Sequence, residues 1–514
     1  MDGKMITVKN SLLLSFLSAA SIPLSAKESA PNIVFILADD MGYGDVSFLN
    51  EKSRIRTENL DRLASEGVVF TDAHSSSSVS TPTRYGIMTG RYNWRSTLKS
   101  GVLNGYSKAL IAPERETMAS MLKKVGYTTA GIGKWHLGWD WNNIDAGIQN
   151  VDFSKPVTNG PTTRGFDYFY GFCGSLDMAP YVYIENDMPT ALPDRETVGK
   201  SKYGWWRKGA TGSDFEHEKV LPNLIDRACR YIGEKTPADQ PYFLYLPLPA
   251  PHTPILPVKE FQGKSGIGEY GDFVLMVDAL VGTVMSAVEA SGEADNTIIV
   301  FTTDNGCSPA AGIDEMERQG HYPNHIYRGM KSDLYDGGPR IPCILRWPGK
   351  VKHHLVDQTV CLTDFYATFA AINGYSLEDS EAEDSYDLSK LVTSSRKRQP
   401  AVREATVHHS ITGYFSIRQG KWKLLLTASS GGWTYPQPRN KAAWKNLPPL
   451  QLYDMEKDPS EKTNLYEKYP EKARELRNLL VKYIEEGRST PGAAQKNDQN
   501  GEWTRMKEIL EMKL

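Results

Sequence analysis

Apolar strands that alternate with helical segments restrict the fold of this chain most strongly. Residues 31–38 form an almost unbroken apolar run, which is typical of a strand covered on both faces in a parallel sheet. Further strands are predicted over residues 127–132, 242–248, 296–303 and 343–346. Helices are predicted over residues 57–66, 83–89, 116–124 and 270–291. The alternation predicts an α/β fold, with a large doubly wound mixed sheet flanked by helices.

The chain is too long for one ordinary domain. Its 514 residues predict a large domain and a smaller one, joined by the polar, acid-rich stretch 376–400. After this stretch come short strands over residues 414–418, 422–426 and 450–453 and a largely helical segment over 461–487. We therefore predict a large domain over residues 27–395. A C-terminal α+β subdomain, a short antiparallel sheet with a packed helix, is predicted over 400–514.

The N-terminus has the pattern of a signal peptide. Lys4 and Lys9 precede an apolar run over residues 12–24, and Ala26 offers a cleavage site, so residues 1–26 are predicted to be removed. A poorly ordered tail or a membrane anchor would be the alternatives, but the run is too short to span a bilayer. The sequence thus predicts an exported protein, periplasmic or secreted, without a stable membrane anchor.

Composition excludes some functions. A formal net charge of -3 gives no basic field for nucleic acid, so we expect no nucleic-acid partner and assign any affinity for anions to local cations. The five cysteines are scattered and have no metal-site spacing, which argues against a disulfide framework.

Oxygen-bearing side chains follow two of the predicted strands. Asp39 and Asp40 come directly after the first strand, and Asp304 and Asn305 follow the strand over 296–303. In a doubly wound sheet these positions meet beyond the carboxyl ends of the strands, where ligands bind. A single Asp-Asp pair is more often a solvated turn, but two such sites predict a metal centre. Oxygen ligands favour calcium, with magnesium second, and fit zinc poorly.

Ser80 lies in a polar loop, residues 75–83, just before the predicted helix that contains Arg84. A helix N-terminus offers free N–H groups and the positive end of the helix dipole, which favours an anionic nucleophile. A helix cap or a flexible serine-rich loop would be the alternative interpretation.

Three further segments offer groups for proton transfer and charge stabilisation. Lys134 and His136 follow the strand over 127–132, and alternate residues of an extended segment face the same side. His252 is held between Pro251 and Pro254, a rigid position that suits a general acid, although a structural histidine is the alternative. Lys331 precedes a glycine-rich connection and could reach an anion.

Together these motifs resemble the type I sulfatases, the formylglycine-dependent branch of the alkaline phosphatase superfamily. The resemblance extends from Asn32 to about Gly492 and includes the run Ser80-Thr-Pro-Thr-Arg84. It implies a sulfuric ester hydrolase whose matured residue 80 is an aldehyde, formylglycine. Many members of the family have Cys at this position, and the Ser form implies an anaerobic-type sulfatase-maturing enzyme as partner. The implied metal ligands, with calcium as the metal, are Asp39, Asp40, Ser80, Asp304 and Asn305, and the implied catalytic residues are Ser80, Arg84, Lys134, His136, His252 and Lys331.

The resemblance also implies a reaction sequence. One hydroxyl of the hydrated aldehyde attacks sulfur, Lys134 and Lys331 neutralise the developing charge, and Arg84 orients the nucleophile. His252 protonates the leaving alcohol, and His136 takes a proton from the second hydroxyl, which expels sulfate. An unmodified serine lacks that second hydroxyl, so its sulfate ester could not collapse in this way.

The substrate is expected to be a sulfated carbohydrate. Residues 165–181 resemble a segment that lines the substrate side in the family, which makes Ser175, Asp177 and Tyr181 candidates for substrate binding. The pattern favours an N-acetylgalactosamine or galactose sulfatase. Two other functions stay open: a phosphatase or phosphodiesterase of the same superfamily that uses unmodified Ser80, and a glycan-binding relative without catalysis.

Overall fold

The computed structural model describes residues 1–2, 29–145, 147, 149–235, 240–396, 399–498 and 503–512. Apart from its first two residues, the predicted signal peptide lies outside the described residues. The strands of the described residues are, in chain order, β1 (Asn32–Ala38), β2 (Val68–Phe70), β3 (Ala73–His74), β4 (Thr128–Lys134), β5 (Tyr168–Phe172), β6 (Ile184–Glu185), β7 (Met188–Pro189), β8 (Pro193–Lys200), β9 (Trp205–Gly212), β10 (Tyr242–Pro247), β11 (Thr297–Thr303), β12 (Cys343–Arg346), β13 (His354–Val356), β14 (Val360–Cys361), β15 (Thr406–His409), β16 (Phe415–Gln419), β17 (Trp422–Leu425) and β18 (Gln451–Asp454).

The helices of the same residues are α1 (Glu58–Ser65), α2 (Ser80–Thr89), α3 (Met118–Lys124), α4 (His217–Glu234), α5 (Glu269–Ala290), α6 (Ile313–Arg318), α7 (Asp364–Ile372), α8 (Ser389–Thr393), α9 (Pro470–Glu485) and α10 (Thr504–Glu511).

A ten-stranded mixed sheet forms the centre of the protein, in the order β13-β2-β12-β11-β1-β10-β4-β5-β6-β7. Its middle five strands, β11, β1, β10, β4 and β5, are parallel. Antiparallel pairs join β12 to β11 and β6 to β5. The predicted α/β class with a large mixed sheet is therefore confirmed.

Helices cover both faces of this sheet, which explains why β1 is apolar from Ile33 to Ala38. Val34 and Ile36 pack on the face covered by α1, α4 and α5, whereas Ile33, Phe35 and Leu37 pack on the face covered by α2, α3 and α7. All seven residues of β1 are buried. α5 is long and apolar enough to cross a membrane by composition, but it packs against α1 and α4 inside the protein.

The register of the parallel strands places the C-terminal ends of several of them at one edge of the sheet. Ala38, the last residue of β1, is paired with Thr303, the last residue of β11, and Leu37 is paired with Pro247 at the end of β10. β4 lies on the other side of β10 and ends at Lys134. The segments that follow these parallel strands therefore start side by side.

The C-terminal region contains a second sheet, in the order β15-β16-β17-β18, with every neighbouring pair antiparallel. Leu476 and Leu480 of α9 belong to the same apolar cluster as Ile417 and Leu424 of this sheet. The predicted antiparallel sheet with a packed helix is confirmed, although α9 begins at Pro470 and not at residue 461. The exact domain boundaries stay predictions.

Candidate active site

Four polar side chains from two strand ends meet in one buried cluster. Asp39 and Asp40 follow β1, and Asp304 and Asn305 follow β11. The Asp40 backbone N–H donates to Asp304 Oδ1 at 3.1 Å, and Asn305 Nδ2 donates to Asp40 Oδ1 at 2.7 Å. All four are at most 2% exposed, so the structure brings together the residues that the strand-end argument predicted.

Two oxygens of this cluster have no hydrogen-bond donor within the described residues. They are Asp39 Oδ1 and Asn305 Oδ1, and both are buried. Buried polar atoms are rarely left unpaired, because each costs about 1–3 kcal/mol. A hard cation would satisfy both oxygens, so the donor set fits calcium or magnesium. Potential ligand atoms of Asp39, Asp40 and His252 also lie within 4.8 Å of one another.

Cationic side chains neutralise the carboxylates. Lys134 Nζ lies 2.5 Å from Asp39 Oδ2, Lys331 Nζ lies 2.8 Å from Asp40 Oδ2, and Arg84 Nη2 lies 3.0 Å from Asp304 Oδ2. Three carboxylates thus face three cations that reach them from β4, α2 and the loop before β12. A divalent ion added to this balanced set would leave it positive, a charge that suits an anionic ester.

Charge and burial shift the pKa values of Asp39 and Asp304 in opposite directions. Burial alone would raise the pKa of Asp39, but the nearby positive charges of Lys134, His252 and Arg84 lower it well below its usual value. Burial, followed by the negative charge of Asp39, raises the pKa of Asp304 to about 7. The carboxylate of Asp39 is therefore firmly ionised.

Ser80 is the first residue of α2, which corrects the predicted helix start at Thr83. Val79 is extended, and the Thr83 N–H already donates to the Val79 carbonyl at 3.3 Å, so the first turn includes Ser80. Pro82 is tolerated there because first-turn N–H groups have no helical acceptor. Ser80 is 2% exposed, and Arg84 stands one turn further along the same face. The contact between Arg84 and Asp304 thus joins the helix that begins at Ser80 to the carboxylate cluster.

His136 presents one free ring nitrogen. Its Nε2 lies 2.7 Å from the Leu103 carbonyl, which can only accept, so Nε2 carries the hydrogen. Nδ1 is buried and has no partner within the described residues. Burial, and then the positive charges of Lys134 and Arg84, lower the pKa of His136 well below its usual value, so the ring is a neutral proton acceptor.

His252 lies in the loop after β10, which is the neighbour of β1 on the side opposite β11. Its Nε2 is 3.6 Å from Asp40 Oδ2, and Nδ1 is 2.5 Å from the Thr253 carbonyl. Its side chain is 11% exposed, more than any of the carboxylates, so it stands at the open side of the cluster.

The three residues predicted to bind substrate form a neighbouring group. Ser175 Oγ donates to Asp177 Oδ1 at 2.5 Å, and Asp177 also contacts Arg207 on β9. Tyr181 is buried and donates its hydroxyl to the Arg207 carbonyl at 2.6 Å, so it would act on a sugar only through Arg207. The roles of Ser175, Asp177 and Tyr181 stay predictions.

Sequence reasoning missed a second set of residues behind Asp40. The Tyr270 hydroxyl lies 3.1 Å from the Asp40 carbonyl and 2.6 Å from Asp45 Oδ2. His321 Nε2 contacts the other oxygen of Asp45 at 2.8 Å. No local motif could have revealed this set, because Tyr270 reads as part of an ordinary apolar helix.

Comparison with known proteins identifies the family. The sequence profile of the family described as Sulfatase matches residues 31–375. An N-acetylgalactosamine-6-O-sulfatase of Bacteroides thetaiotaomicron is 34% identical over 493 residues, covering 88% of this chain and 92% of the relative. Human arylsulfatase A is 31% identical over 453 residues, covering 85% of this chain and 83% of the relative.

A solved structure agrees with the sequence relatives. It comes from work on the metabolism of multiple glycosaminoglycans by Bacteroides thetaiotaomicron, and it has a TM-score of 0.77 and 32% sequence identity. The match covers 88% of this chain and 99% of the solved chain. With the family profile spanning more than half of the sequence, the chain belongs to the sulfatase family and is a sulfuric ester hydrolase.

Proposed function

We propose that this sulfatase removes sulfate esters from sulfated glycans, with a formylglycine made from Ser80 as nucleophile and calcium as its metal. The observation that carries the proposal is a pair of buried oxygens, Asp39 Oδ1 and Asn305 Oδ1, that have no hydrogen-bond donor among the residues the structure describes. They lie beside the helix that begins at Ser80 and among the cations Lys134, Lys331 and Arg84.

Calcium would be held by Asp39, Asp40, Asp304, Asn305 and the matured side chain of residue 80. Bound there, it would lower the pKa of a nucleophilic hydroxyl and offset negative charge on the ester. Calcium is preferred over magnesium because it accepts irregular arrangements of protein oxygens, whereas magnesium keeps several of its waters.

The side chains around the proposed metal site would stabilise charge, orient the nucleophile and transfer protons. Lys134 and Lys331 stabilise negative charge on the sulfate oxygens, and the guanidinium of Arg84 orients the side chain of residue 80. His252, at the open side, donates a proton from Nε2 to the leaving oxygen of the sugar. The free Nδ1 of His136 accepts a proton from the matured nucleophile.

The substrate that we propose is a 6-sulfated N-acetylgalactosamine unit, with 6-sulfated galactose as second candidate. The proposal draws on the 34% identical Bacteroides relative named for N-acetylgalactosamine-6-O-sulfate. We further propose export to the periplasm or the medium, guided by the segment over residues 1–26, and maturation by an anaerobic-type sulfatase-maturing enzyme.

Mass spectrometry and turnover test the proposal together. The chain is coexpressed with a serine-type maturase, and the peptide that contains residue 80 is analysed by mass. We expect a loss of two hydrogen atoms, and calcium-dependent release of sulfate from 6-sulfated N-acetylgalactosamine. Ser80→Ala should abolish both results. Ser78→Ala, a buried serine two residues away, is the matched control and should keep the modification.

Other outcomes would contradict the proposal. An unmodified Ser80 peptide with turnover of phosphate esters would support the phosphatase alternative. A modified peptide without turnover of any sulfate ester would support a glycan-binding relative.

A further inference from the structure

Arg207 is a half-exposed cation that the proposed reaction does not use. It lies on β9 of the hairpin formed by β8 and β9, and its side chain is 58% exposed. The side chain of its carboxylate partner, Asp177, is 6% exposed. The pair therefore consists of a buried acid and a guanidinium directed outward.

Several contacts hold this guanidinium in place. The Arg207 backbone N–H and Nη1 donate to the Asp177 carbonyl at 3.2 and 3.1 Å, and Nη1 also contacts the Asp177 carboxylate. The guanidinium carbon lies 5.3 Å from the ring centre of Trp205, within the range of a cation–π contact. The Tyr181 hydroxyl also donates a hydrogen bond to the Arg207 carbonyl. An arginine held in this way loses little conformational entropy when it binds a ligand.

Part of the guanidinium remains available. Among the residues that the structure describes, no acceptor bonds to Nε or Nη2 of Arg207, since every hydrogen bond of the side chain uses Nη1. These two N–H groups form one edge of the planar fork, which matches the two oxygens of a carboxylate or the oxygens of a sulfate.

The fork stands beside the reaction centre. The loop that carries Asp177 follows β5, the strand next to β4, and its Cys173 carbonyl accepts the N–H of His136 at 2.7 Å. Burial would raise the pKa of Asp177, but the positive charge of His252 and the contacts with Ser175 and Arg207 lower it, so Asp177 lies within electrostatic range of His252. Arg207 thus borders the side on which His252 would meet the leaving sugar.

We propose that Arg207 binds a second anionic group of the substrate, a carboxylate or sulfate close to the ester that is cleaved. The preferred substrate is then a polyanionic glycan, in which the sulfated unit carries another sulfate or adjoins a uronic acid. This inference rests on the proposed function and adds the charge of the neighbouring group as a determinant of specificity.

Kinetics with matched substrates test the inference. The matured enzyme is assayed with 6-sulfated N-acetylgalactosamine, its 4,6-disulfated form, a disaccharide that joins the 6-sulfated unit to a uronic acid, and the methyl ester of that disaccharide. We expect a higher kcat/KM for at least one doubly anionic substrate than for its singly anionic counterpart. The comparison identifies whether a carboxylate or a sulfate occupies the fork.

Variants then assign the preference to Arg207. Arg207→Ala should reduce the ratio of kcat/KM for the doubly and singly anionic substrates by roughly tenfold or more, the usual worth of a hydrogen-bonded charge. The loss should appear mainly in KM, because the second anion binds equally in the ground and transition states. Arg207→Lys keeps the charge but not the fork, so its ratio of kcat/KM should lie between those of the wild type and Arg207→Ala.

Lys208→Ala is the matched control. Lys208 is the next residue on β9, 69% exposed and paired with Glu196 across the hairpin, and it points to the opposite face. It should leave the preference unchanged. A wild-type enzyme without preference for a second anion, or a ratio that Arg207→Ala does not change, would overturn the inference while leaving the proposed function intact. Absence of turnover of both an aryl sulfate and the sulfated sugars would overturn both.

Discussion

Asp40 has an unusual backbone conformation that gives it different neighbours from Asp39. Its φ angle is 65°, in the left-handed region that non-glycine residues seldom occupy. The turn directs its carboxylate towards Asn305 and Lys331, whereas Asp39 faces Lys134. Such a conformation costs about 1–3 kcal/mol and persists only where surrounding contacts fix it. The Tyr270 hydroxyl, which lies against the Asp40 carbonyl, is one of those contacts.

Tyr270→Phe is therefore expected to weaken calcium binding. The change removes one buried hydroxyl next to both Asp40 and Asp45, worth about 1 kcal/mol, or roughly fivefold in the dissociation constant. Calorimetric titration of the metal-free protein with calcium measures the effect. Tyr366→Phe is the matched control, because its hydroxyl is buried and lacks a partner within the described residues. Equal affinities for wild type and Tyr270→Phe would contradict this positioning role.

His252→Ala should affect substrates according to their leaving groups. A proton donor accelerates departure of a poor leaving group by roughly 10²–10⁴-fold, but an activated aryl alcohol leaves without help. We expect turnover of a sulfated sugar to fall far more than turnover of 4-nitrophenyl sulfate. Comparison of kcat on the two substrates provides the measurement, with His353→Ala, at the remote contact with Ala64 and Gly67, as control. Equal losses on both substrates would argue for a different role, such as metal binding.

The residues at the strand ends could be predicted from sequence, but the residues that hold them in place could not. Asp39 and Asp304 follow apolar strands directly, so local pattern and parallel topology together place them at one edge. Tyr270 and Asp45 meet across 225 residues of sequence, and neither belongs to a recognisable motif. The position of the Arg207 side chain likewise depends on a contact between the β8–β9 hairpin and Asp177, which lies in a loop 30 residues earlier.

At the level of secondary structure, the long apolar strands at the centre of the sheet could be predicted, whereas several other elements, including β5 and the long helix α4, could not. β1, β10 and β11 are fully buried and were identified within one residue at each end. β8 was missed, because its sequence PDRETVGK is polar and every residue is at least partly exposed. Three-residue strands such as β2 take their pairing from neighbouring strands and have no periodicity of their own.

Two loops at the site approach each other so closely that only glycine fits. A Cβ on Gly306 would lie 1.8 Å from the Gly337 carbonyl oxygen, and the Gly306 N–H donates to the Gly338 carbonyl at 2.7 Å. Gly306 follows Asn305, and Gly337 follows Lys331 by six residues in the next loop. The contact thus sets the distance between a proposed metal ligand and a proposed sulfate-binding lysine.

Gly306→Ala should separate these loops. Forced overpacking costs about 1–3 kcal/mol, so we expect roughly a tenfold loss or more in calcium affinity and in kcat/KM. Gly233→Ala in α4 is the matched control, since nothing lies within 4 Å of its added methyl group. It should be neutral or stabilise the fold by about 0.5 kcal/mol. Titration with calcium and thermal unfolding measure both variants, and unchanged calcium affinity in Gly306→Ala would contradict the prediction.

Across the whole molecule, the C-terminal sheet supports the active-site loops. His409 at the end of β15 bridges to Ser77, and Ser77 Oγ donates to the His409 carbonyl at 2.9 Å, three residues before Ser80. Lys423 of β17 pairs with Asp336 at 2.7 Å, in the loop that contains Lys331. The smaller sheet therefore contacts the segments that carry the proposed nucleophile, Ser80, and a proposed sulfate-binding cation, Lys331. We expect the two parts of the chain to lose structure together.

We expect the buried His409 at this junction to make the fold sensitive to acid. Burial, and then the positive charge of Lys99, lower the pKa of His409 to about 3, whereas an unfolded histidine titrates near 6.5. Between these values the unfolded chain binds a proton that the folded protein excludes, so stability is lost as the pH falls below about 6.5. From pH 7 to pH 5 the loss from this residue is about 2 kcal/mol.

His409→Leu should remove that part of the pH dependence. Denaturant unfolding at pH 7 and pH 5 gives the difference in the free energy of unfolding, which should shrink by about 2 kcal/mol relative to wild type. Val407→Ala, a buried residue on the same face of β15, is the control and should lower stability equally at both pH values. If His409→Leu keeps the wild-type difference between the two pH values, acid sensitivity comes from other groups and His409 is not part of its cause.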